Sequence, residues 1–319
     1  MNSTKKIPLV AVVGPTASGK TGLGIKIAKR YSGEIVSADS MQIYKYMNIA
    51  TAKPSSDEMQ GIPHHLIDFL SPSSSFSVAD YVSLAHNTIA DIFSRGKLPV
   101  LVGGTGLYVS SLLDNIDFSP SGSDEKLRAE LSAICESEGL QKLLDILSEF
   151  DPESASRLST QKNKSRIIRA IEIYKTTGQT MTETLKKSKL NESPYSDLRI
   201  GLNVDDRSFL YDRINTRVDI MLDMGLLEET KRIMNMNLGQ TARMAIGYKE
   251  LIPYINGEIS YDEAVNKLKM ETRRYAKRQL TWFRRDNKIH WINIDRYSED
   301  EIFAQSCKYI EAVLNMAGE

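Results

Sequence analysis

The first third of the chain alternates short, continuous apolar runs with longer amphipathic segments. The runs LVAVV and LPVLVGG are rich in β-branched residues and contain no charged position, which is typical of strands buried on both faces of a parallel sheet. EIVSADS predicts a third strand, which ends on Asp39. Strands of this kind separated by helices indicate a doubly wound α/β arrangement, in which ligands bind beyond the carboxyl ends of the strands.

A long helix is predicted for SVADYVSLAHNTIADIFSRGK, and Gly96 should end it. Apolar residues at helical spacing share one face of it: Val78, Val82, Ala85, Ile89 and Ile92. From about Pro120 the periodicity is helical only, until DLRIGLNV and later IHWINID return to strand character. We therefore predict an α/β fold whose core, like that of P-loop NTPases, has a mostly parallel sheet flanked by helices. Residues 1–119 and 191–319 would form this core, and residues 120–190 an all-α insertion domain.

The composition is that of an ordinary globular protein, and it narrows the range of partners. The 319 residues include 41 basic and 41 acidic side chains, so the formal net charge is zero and no global basic field predicts a polyanionic partner. No apolar run approaches the roughly 20 residues that span a bilayer, and the N-terminus shows neither an apolar signal core nor an Arg-rich leader. Cys135 and Cys307 form no metal-spaced pair. We expect a cytoplasmic protein without a membrane partner, and nothing in the sequence requires more than a monomer.

The segment GPTASGKT matches the phosphate-binding pattern G-x-x-x-x-G-K-[ST], with a predicted strand before it and a predicted helix after it. Gly14 and Gly19 allow the backbone to turn so that consecutive N–H groups converge on phosphate oxygens, and the helix N-terminus adds to this anion site. Lys20 would add positive charge, and the Thr21 hydroxyl can bind Mg²⁺. The predicted diphosphate-binding residues are Gly14, Pro15, Thr16, Ala17, Ser18, Gly19, Lys20 and Thr21. The pattern alone does not say whether the loop binds a nucleotide such as ATP or another diphosphate.

The ends of the other predicted strands carry the candidate chemistry. LPVLVGG closes on residues 103–105, Gly-Gly-Thr, where an NTP-hydrolysing motor usually has a carboxylate. Asp39 is the carboxylate at the other strand end, where it could be a metal ligand, a general base or simply a helix N-cap. His64 and His65 follow a proline in a predicted polar loop, and no cysteine or carboxylate at ligand spacing indicates a metal site there.

Several sequence blocks, in their order along the chain, resemble those of the tRNA dimethylallyltransferases, also called tRNA delta(2)-isopentenylpyrophosphate transferases. The blocks are GPTASGKT, SADSMQIYKYMNIATAKP, PHHLIDFL, LVGGTGLYVSSL, DPESASRL, SRIIRAIEIYKTTG, MLDMGLLEET, AIGYKEL and TRRYAKRQLTWFRRD. They extend over roughly residues 8–290. DSMQIY with ATAKP, and YAKRQLTWFRR, are not general features of phosphate-loop proteins.

The resemblance implies a transferase that moves a dimethylallyl group from dimethylallyl diphosphate to the exocyclic N6 amine of the adenine 3′-adjacent to the anticodon in tRNA. The phosphate loop would then bind the donor's diphosphate, while Lys20 and a Mg²⁺ cofactor at Thr21 neutralise charge on the departing pyrophosphate. Asp39 matches the family's general base, which takes the proton of the amine. Thr105 matches a threonine that meets the phosphates, and Arg217 matches a pyrophosphate contact.

The same resemblance implies that the anticodon stem-loop of tRNA binds the core and the helical insertion, with the target adenine flipped out of its stack. By this analogy the tRNA-binding residues are Asp39, Ser40, Met41, Gln42, Thr105, Arg128, Ser165, Arg166, Ile167, Ile168 and Arg169. Ser165 stands where the family usually has a glutamine, whereas Arg166 and Arg169 keep the basic positions.

The C-terminal block ETRRYAKRQLTWFRRD predicts a helix with basic and aromatic residues interleaved. The residues concerned are Arg274, Arg278 and Arg285 on one face, and Tyr275, Trp282 and Phe283 between them. We predict that Arg274 and Arg278 bind tRNA, with the aromatic rings available for base stacking. The alternative is a solvated basic face over an aromatic core seam. Upstream, Arg213 and Arg217 lie one turn apart on one face of a predicted helix.

Three other functions stay open on the residues alone. An isopentenyltransferase that acts on free AMP or ATP would share the phosphate loop and Asp39, but it needs neither a basic C-terminal helix nor an insertion. A small-molecule kinase would bind ATP in the loop, and the insertion could then be its lid. A non-catalytic tRNA-binding protein would need neither Lys20 nor Asp39.

Overall fold

The structure, a computed structural model, describes residues 6–116, 124–188 and 192–316. The chain divides into two compact units. The first, here called the core unit, consists of Met1–Leu113 and Pro194–Glu319, and the second, the helical unit, is Asp114–Ser193. Among the described residues, no helix is both long enough and apolar enough to cross a membrane.

The core unit contains one sheet of six strands. In chain order they are β1 (Ile7–Val13), β2 (Gly33–Ser37), β3 (His64–His65), β4 (Leu98–Gly103), β5 (Tyr195–Asn203) and β6 (Ile289–Asn293). Their order across the sheet is β3-β2-β4-β1-β5-β6, and every described pair of neighbours is parallel. The predicted parallel sheet is confirmed. β4 and β1 are its two central strands, and β4 and the last five residues of β1 are buried, as expected for strands covered on both faces.

The helices of the core unit follow the strands in the alternation that the sequence predicts. They are α1 (Lys20–Arg30), α2 (Ser56–Met59), α3 (Val78–Ser94), α4 (Gly106–Leu113), α10 (Arg207–Asp223), α11 (Leu226–Met234), α12 (Tyr248–Ile255), α13 (Tyr261–Phe283) and α14 (Glu299–Met316), numbered with the five helices of the helical unit. The predicted apolar face of α3 is confirmed from Val82 to Ile92, and Gly96 follows this helix with φ +70°.

The histidine pair was wrongly predicted to lie in a loop. His64 and His65 form the edge strand β3 and pair in parallel with Ile35 and Val36 of β2. Two polar residues are too short a run to show strand periodicity, so the sequence carries no signal for this strand. Its pairing depends on neighbours that are distant in sequence: His65 Nε2 lies 2.7 Å from a carboxylate oxygen of Glu34.

The helical unit is built from helices alone in its described part. These are α5 (Glu125–Glu138), α6 (Leu140–Ser148), α7 (Pro152–Gln161), α8 (Lys164–Thr177) and α9 (Met181–Ser188). They enclose a small apolar core that includes Leu143, Leu147, Ile167 and Ile171, none of which has measurable exposure. The helical periodicity therefore folds into a unit with its own core.

Candidate active site

The register of the sheet brings the candidate residues to one edge. Val13, the last residue of β1, pairs with Gly103 at the end of β4 and with Gly201 near the end of β5. The phosphate loop and the Gly-Gly-Thr segment therefore leave the sheet side by side. On the other flank of β4, Ser37 of β2 pairs with Val102, so the chain reaches Asp39 at the same edge.

The phosphate loop has the backbone that its glycines predict. Gly14 and Gly19 have φ angles of +154° and +89°, and Ala17 between them also has positive φ, +62°. At Gly14 a Cβ atom would lie 3.0 Å from the Leu202 carbonyl oxygen and 3.1 Å from Ser18 Oγ, so a larger residue would crowd the turn. Helix α1 begins directly at Lys20, and no side chain caps its first amides. These amides form the kind of anion site found at helix N-termini.

Basic side chains surround this loop. Lys20 Nζ donates to the Pro15 carbonyl oxygen at 3.2 Å, and Arg213 Nε donates to the Ala17 carbonyl oxygen at 2.9 Å. Burial, reinforced by the neighbouring Arg217 and opposed by Asp39, lowers the pKa of Lys20 to about 8. Burial also lowers the pKa of Arg217. Two buried positive charges close together repel each other, and a bound anion offsets this repulsion.

Asp39 lies in a turn two residues beyond the end of β2. Its Oδ1 atom accepts the backbone N–H groups of Met41 at 2.9 Å and Gln42 at 3.3 Å. One role that the sequence left open for Asp39 was that of a helix N-cap. The side chain does accept backbone N–H groups in this way, but it caps a turn and not a helix. Both bonds use one oxygen, so Oδ2 is the atom left to accept a proton from a bound molecule.

Thr105 reaches Asp39's turn through Ser40. Thr105 Oγ1 accepts the backbone N–H of Ser40 at 2.9 Å and donates to Ser40 Oγ at 3.2 Å, while the Thr105 N–H donates to the Ala38 carbonyl oxygen at 3.1 Å. The Thr105 hydroxyl is thereby fixed next to the candidate base. Lys20, Asp39 and Thr105 thus belong to adjoining loops at one sheet edge.

A cavity of about 300 Å³ opens at this edge, and residues of the core unit line it. One part of its lining is polar and charged and includes Lys20, Thr21, Asp39 and Arg217. Another part is apolar and includes Ile35, Ile67, Val102, Ile214, Val218 and Leu268. A cavity with both linings suits a molecule that carries a phosphate group at one end and a hydrocarbon group at the other.

The loop after Asp39 is held in place by buried ionic groups. The Glu229 carboxylate accepts the backbone N–H groups of Asn48, Ile49 and Ala50 at 2.9–3.0 Å and the Tyr248 hydroxyl at 2.8 Å. Lys53 Nζ donates to the Tyr44 carbonyl oxygen at 2.7 Å and to Asp68 Oδ1 at 2.6 Å. These bonds connect the loop after Asp39 to the GLLEET segment through Glu229 and tie the loop to itself through Lys53.

Some predicted tRNA contacts in this loop already have partners within it. Gln42 Nε2 donates to the carbonyl oxygens of Thr51 and Ala52 at 3.2 and 3.1 Å. Ser40, Met41 and Gln42 are only partly buried and line the cavity. The structure therefore brings these residues together with Asp39, and it gives the Gln42 amide a role in fixing the loop.

The predicted basic face of the C-terminal helix is only partly correct. Arg278 lies on α13 and lines the cavity, and its guanidinium is 5.7 Å from the centroid of the Tyr275 ring. Arg274 is exposed and pairs with Glu271 at 2.7 Å. Arg285 does not share this face, because α13 ends at Phe283 and the chain turns toward β6.

The aromatic residues of this block mostly support the helix. Phe283 is buried in the core, and Trp282 donates from Nε1 to Ser110 Oγ at 3.1 Å with its ring against Gly106. The interpretation as a core seam is confirmed for Phe283, whereas Trp282 is half-buried. Tyr275 differs, because it lines the cavity; burial, together with the nearby Asp39 carboxylate, raises the pKa of its phenol.

The helical unit holds the remaining predicted tRNA contacts. Arg128 donates from Nε and Nη2 to the two oxygens of the fully buried Glu172 carboxylate, at 2.8 and 2.9 Å, and Arg169 donates to the same carboxylate at 2.6 Å. Ile167 and Ile168 are buried in the core of this unit, so their side chains present no surface. Ser165 and Arg166 are exposed at the start of α8.

The donor groups around Thr21 fit a magnesium ion that is held chiefly by substrate phosphates. Thr21 and Asp39 both line the cavity and offer a hydroxyl and a carboxylate oxygen. No group of three or more His, Cys, Asp or Glu side chains able to hold a metal ion occurs among the described residues. Mg²⁺ usually keeps several waters and needs only one or two protein ligands beside substrate phosphates, so this sparse set is compatible with it.

Two residues of this site were missed. Gln279 lies 2.8 Å from the backbone nitrogen of Thr16 in the phosphate loop and 2.9 Å from the carbonyl oxygen of Gly104. The signal was present: a glutamine at a position that shares the apolar stripe of Ala276, Leu280 and Phe283 indicates a buried polar role. Glu229 was missed as well, although an acidic residue inside GLLEET carries no comparable signal.

The fold and the site define a class of protein: a parallel α/β protein with a phosphate loop and a carboxylate beside a partly apolar cavity. Within this class, a family model described as IPP transferase matches residues 42–286, and one described as isopentenyl transferase matches residues 7–73. The chain belongs to the IPP transferase family, which confirms the resemblance seen in the sequence.

Individual relatives agree with this assignment. A tRNA dimethylallyltransferase of Acetivibrio thermocellus is 46% identical over 310 residues, covering 97% of this chain and 98% of the relative. One of Bacillus cytotoxicus is 46% identical, covering 99% and 98%. The solved structure of a full-length tRNA isopentenylpyrophosphate transferase from Bacillus halodurans superposes with a TM-score of 0.72 at 43% identity, covering 98% of this chain and 100% of that one. A eukaryotic dimethylallyltransferase acting on tRNA gives 0.77 at 29% identity, covering 90% and 74%.

Proposed function

We propose that this protein is a tRNA dimethylallyltransferase. In this proposal it transfers a dimethylallyl group from dimethylallyl diphosphate to N6 of the adenine 3′-adjacent to the anticodon. The observation that carries the proposal is the shared cavity of the phosphate loop and Asp39, whose lining is charged in one part and apolar in another. Such a cavity accommodates both the diphosphate and the hydrocarbon end of an isoprenoid donor.

The donor would bind with its diphosphate on the loop and the first amides of α1. Lys20 and Arg217 provide the positive charge. Burial lowers the pKa of both, with a further lowering from Arg217 at Lys20 and from Arg213 at Arg217. A bound diphosphate offsets that repulsion, and the charge that appears on pyrophosphate during transfer strengthens the attraction. Mg²⁺ held by Thr21 and the phosphate oxygens would supply further charge neutralisation when bound.

The acceptor would be an adenine that has left its stack and entered the cavity beside Asp39. Its N6 lone pair forms the new bond to the allylic carbon C1 of the donor, while the bond from C1 to the bridging oxygen breaks and both its electrons leave with pyrophosphate. The N6 proton goes to Asp39 Oδ2, since Oδ1 is occupied by two backbone amides. Thr105, fixed through Ser40, lies beside this base.

The tRNA contacts proposed for Arg274, Arg278, Ser165 and Arg166 rest on exposed side chains. Those for Arg128 and Arg169 rest on guanidinium groups oriented by Glu172. We also propose that a monomer suffices, because residues of one chain line the cavity. A cytoplasmic location follows from the proposed substrate.

The decisive experiment measures the mass of the acceptor. The protein is incubated with Mg²⁺, dimethylallyl diphosphate and unmodified tRNA whose anticodon is followed by adenine, and the tRNA is then analysed by mass spectrometry. A gain of one dimethylallyl group on that adenosine, with release of pyrophosphate, is expected. The same tRNA with guanosine at that position is the control and should stay unmodified.

Three outcomes would contradict the proposal in different ways. Modification of free AMP or ATP without modification of tRNA would show an adenylate isopentenyltransferase. Transfer of phosphate from ATP to a small molecule would show a kinase. Binding of tRNA without any transfer would leave only a tRNA-binding protein.

A further inference from the structure

One buried side chain connects the phosphate loop to the neighbouring loop of the site. Gln279 of α13 accepts the backbone N–H of Thr16 at Oε1, 2.8 Å away, and donates from Nε2 to the carbonyl oxygen of Gly104 at 2.9 Å. The partners lie 263 and 175 residues away along the chain. Gln279 is 4% exposed, and its bond to the Gly104 carbonyl oxygen is shielded from competing water.

The Gln279 amide packs closely against Gly104. A Cβ atom on Gly104 would lie 2.1 Å from Gln279 Nε2, so any larger residue there would push the amide away from its present position. Around it on α13, Ala276, Leu280 and Phe283 are buried. The helix is thereby anchored, and the amide is held between the loops.

The two bonded loops hold the two halves of the proposed reaction. The Thr16 bond sets the first part of the diphosphate-binding loop, which ends at Lys20. The Gly104 bond sets the segment that continues into Thr105, whose hydroxyl binds Ser40 beside Asp39. One side chain thus bonds both to the loop of the leaving-group site and to the segment that leads to the base.

We propose that Gln279 is a positioning residue for prenyl transfer: it fixes the distance between the diphosphate loop and the Asp39–Thr105 loops. This inference rests on the proposed function, and it assigns Gln279 no contact with the reacting atoms. Its importance follows from the steepness of the geometric requirement, since a misplacement of about 1 Å can reduce a rate by roughly 10²-fold.

Because the backbone N–H of Thr16 donates to Gln279, this N–H group is not available to phosphate oxygens. The diphosphate contacts are then left to the amides that follow it in the loop and at the start of α1. Tyr275, one turn before Gln279 on the same helix, lines the cavity as well.

The test compares Gln279→Met with wild type. Methionine keeps the length and the helix propensity of glutamine but removes both hydrogen bonds. We expect a single-turnover rate lower by about tenfold or more at saturating donor and tRNA, and binding of inorganic pyrophosphate weaker by about threefold to tenfold. Thr281→Val on the same helix, at an exposed position whose hydroxyl bonds only to Lys277, is the matched control and should match wild type.

Gly104→Ala tests the same contact by changing the partner of the Gln279 amide. Its added methyl group displaces the Gln279 amide without changing α13, so the same combination of a slower rate and weaker pyrophosphate binding is expected. This variant keeps the inference testable if Gln279→Met fails to fold.

A purely structural role predicts a different result. In that case the variants would lose thermal stability while the folded fraction kept the wild-type single-turnover rate and pyrophosphate affinity, and this result would overturn the inference. Failure of the proposed function is distinguishable from it, because wild type itself would then transfer no prenyl group. Even then, a comparison of pyrophosphate affinity between wild type and the two variants would show whether Gln279 positions the diphosphate-binding loop.

Discussion

Asp39 Oδ1 accepts the backbone N–H of Met41 at 2.9 Å, and this bond fixes the carboxylate in its turn. The turn lies beside the end of β4. There the Thr105 hydroxyl oxygen accepts the backbone N–H of Ser40, the residue that follows Asp39. A carboxylate held in this way has one oxygen occupied and the other available. The arrangement suits a base that must both orient a weakly nucleophilic amine and accept its proton.

We expect Asp39→Asn to separate orientation from proton transfer. The asparagine oxygen can keep the bond to the Met41 amide, so the loop and donor binding should persist, but the residue can no longer accept a proton. Turnover should fall by about 10²-fold or more, in Asp39→Ala as well. Donor affinity from titration calorimetry and turnover from tRNA mass together check this. Unchanged turnover in Asp39→Asn would show that Asp39 is not the base.

Lys20 predicts a pH dependence of donor binding. Its pKa is lowered to about 8 because it is buried beside Arg217, so the free protein loses this charge as the pH rises through about 8. Diphosphate needs the charged form, and binding should therefore weaken steadily above pH 8. Pyrophosphate titrations between pH 7 and 10 measure this directly.

Two variants are the controls for the pH dependence of Lys20. Lys20→Ala should bind pyrophosphate weakly at every pH, and Lys20→Arg should show little change between pH 8 and 10, since an arginine stays charged throughout this range. A decline of equal slope in Lys20→Ala would assign the titration to another group.

Much of the fold could be predicted because its determinants are local. The apolar runs of β1 and β4 and the phosphate loop are each readable within about ten residues, and buried parallel strands have a composition of their own. The His64–His65 strand could not be predicted, because its pairing depends on a distant edge of the sheet. The end of α13 could not be predicted either. Asp286, just beyond this end, accepts a hydrogen bond of 2.6 Å from Arg199 of β5, which lies 87 residues earlier in the chain.

The candidate site also contains residues that could be predicted from the sequence and residues that could not. The phosphate loop, Asp39 and Thr105 follow from motifs, whereas the groups that hold them in place do not. Glu229 binds a loop about 180 residues earlier in the chain, and Gln279 binds a loop 263 residues earlier. Side chains whose partners are so distant leave only a weak sign in the sequence, such as a polar residue on an apolar face.

Glu34 predicts an acid-dependent loss of stability. The hydrogen bonds from Arg95, at 2.5 and 2.8 Å, together with one from His65, outweigh burial and lower the pKa of Glu34 to about 2. A carboxyl whose pKa is lower in the folded than in the unfolded protein stabilises the fold above its unfolded pKa of about 4.3, and loses this contribution as the pH falls toward 2.

Urea unfolding of wild type and Glu34→Gln at several pH values tests this expectation. At pH 6 the variant should be less stable by about 1–3 kcal/mol, the usual range for hydrogen bonds to charged groups. The difference should shrink between pH 4.5 and pH 2.5. A difference that stays constant over this interval would mean that Glu34 ionisation does not contribute.

The last prediction concerns two arginines of the helical unit with different partners. Arg128 binds both oxygens of the buried Glu172 carboxylate, whereas Arg166 is exposed and bonds to the exposed Gln161. Burial alone would raise the pKa of Glu172, but the hydrogen bonds from Arg128, Arg169 and the Asp124 amide outweigh it and lower the pKa. Glu172 is therefore a charged residue in an apolar core, and it depends on these arginines.

We expect Arg166→Ala to weaken tRNA binding by about threefold to tenfold and to leave the unfolding free energy unchanged within about 0.5 kcal/mol, as for an exposed phosphate contact. Arg128→Ala should destabilise the protein by about 2 kcal/mol or more, because it leaves the Glu172 charge with fewer partners. Filter binding of tRNA at two salt concentrations and urea unfolding measure the two effects. If Arg128 also binds tRNA, the salt dependence of binding becomes shallower in Arg128→Ala, a change that lost stability alone does not produce. An unchanged salt dependence would confine Arg128 to supporting the helical unit.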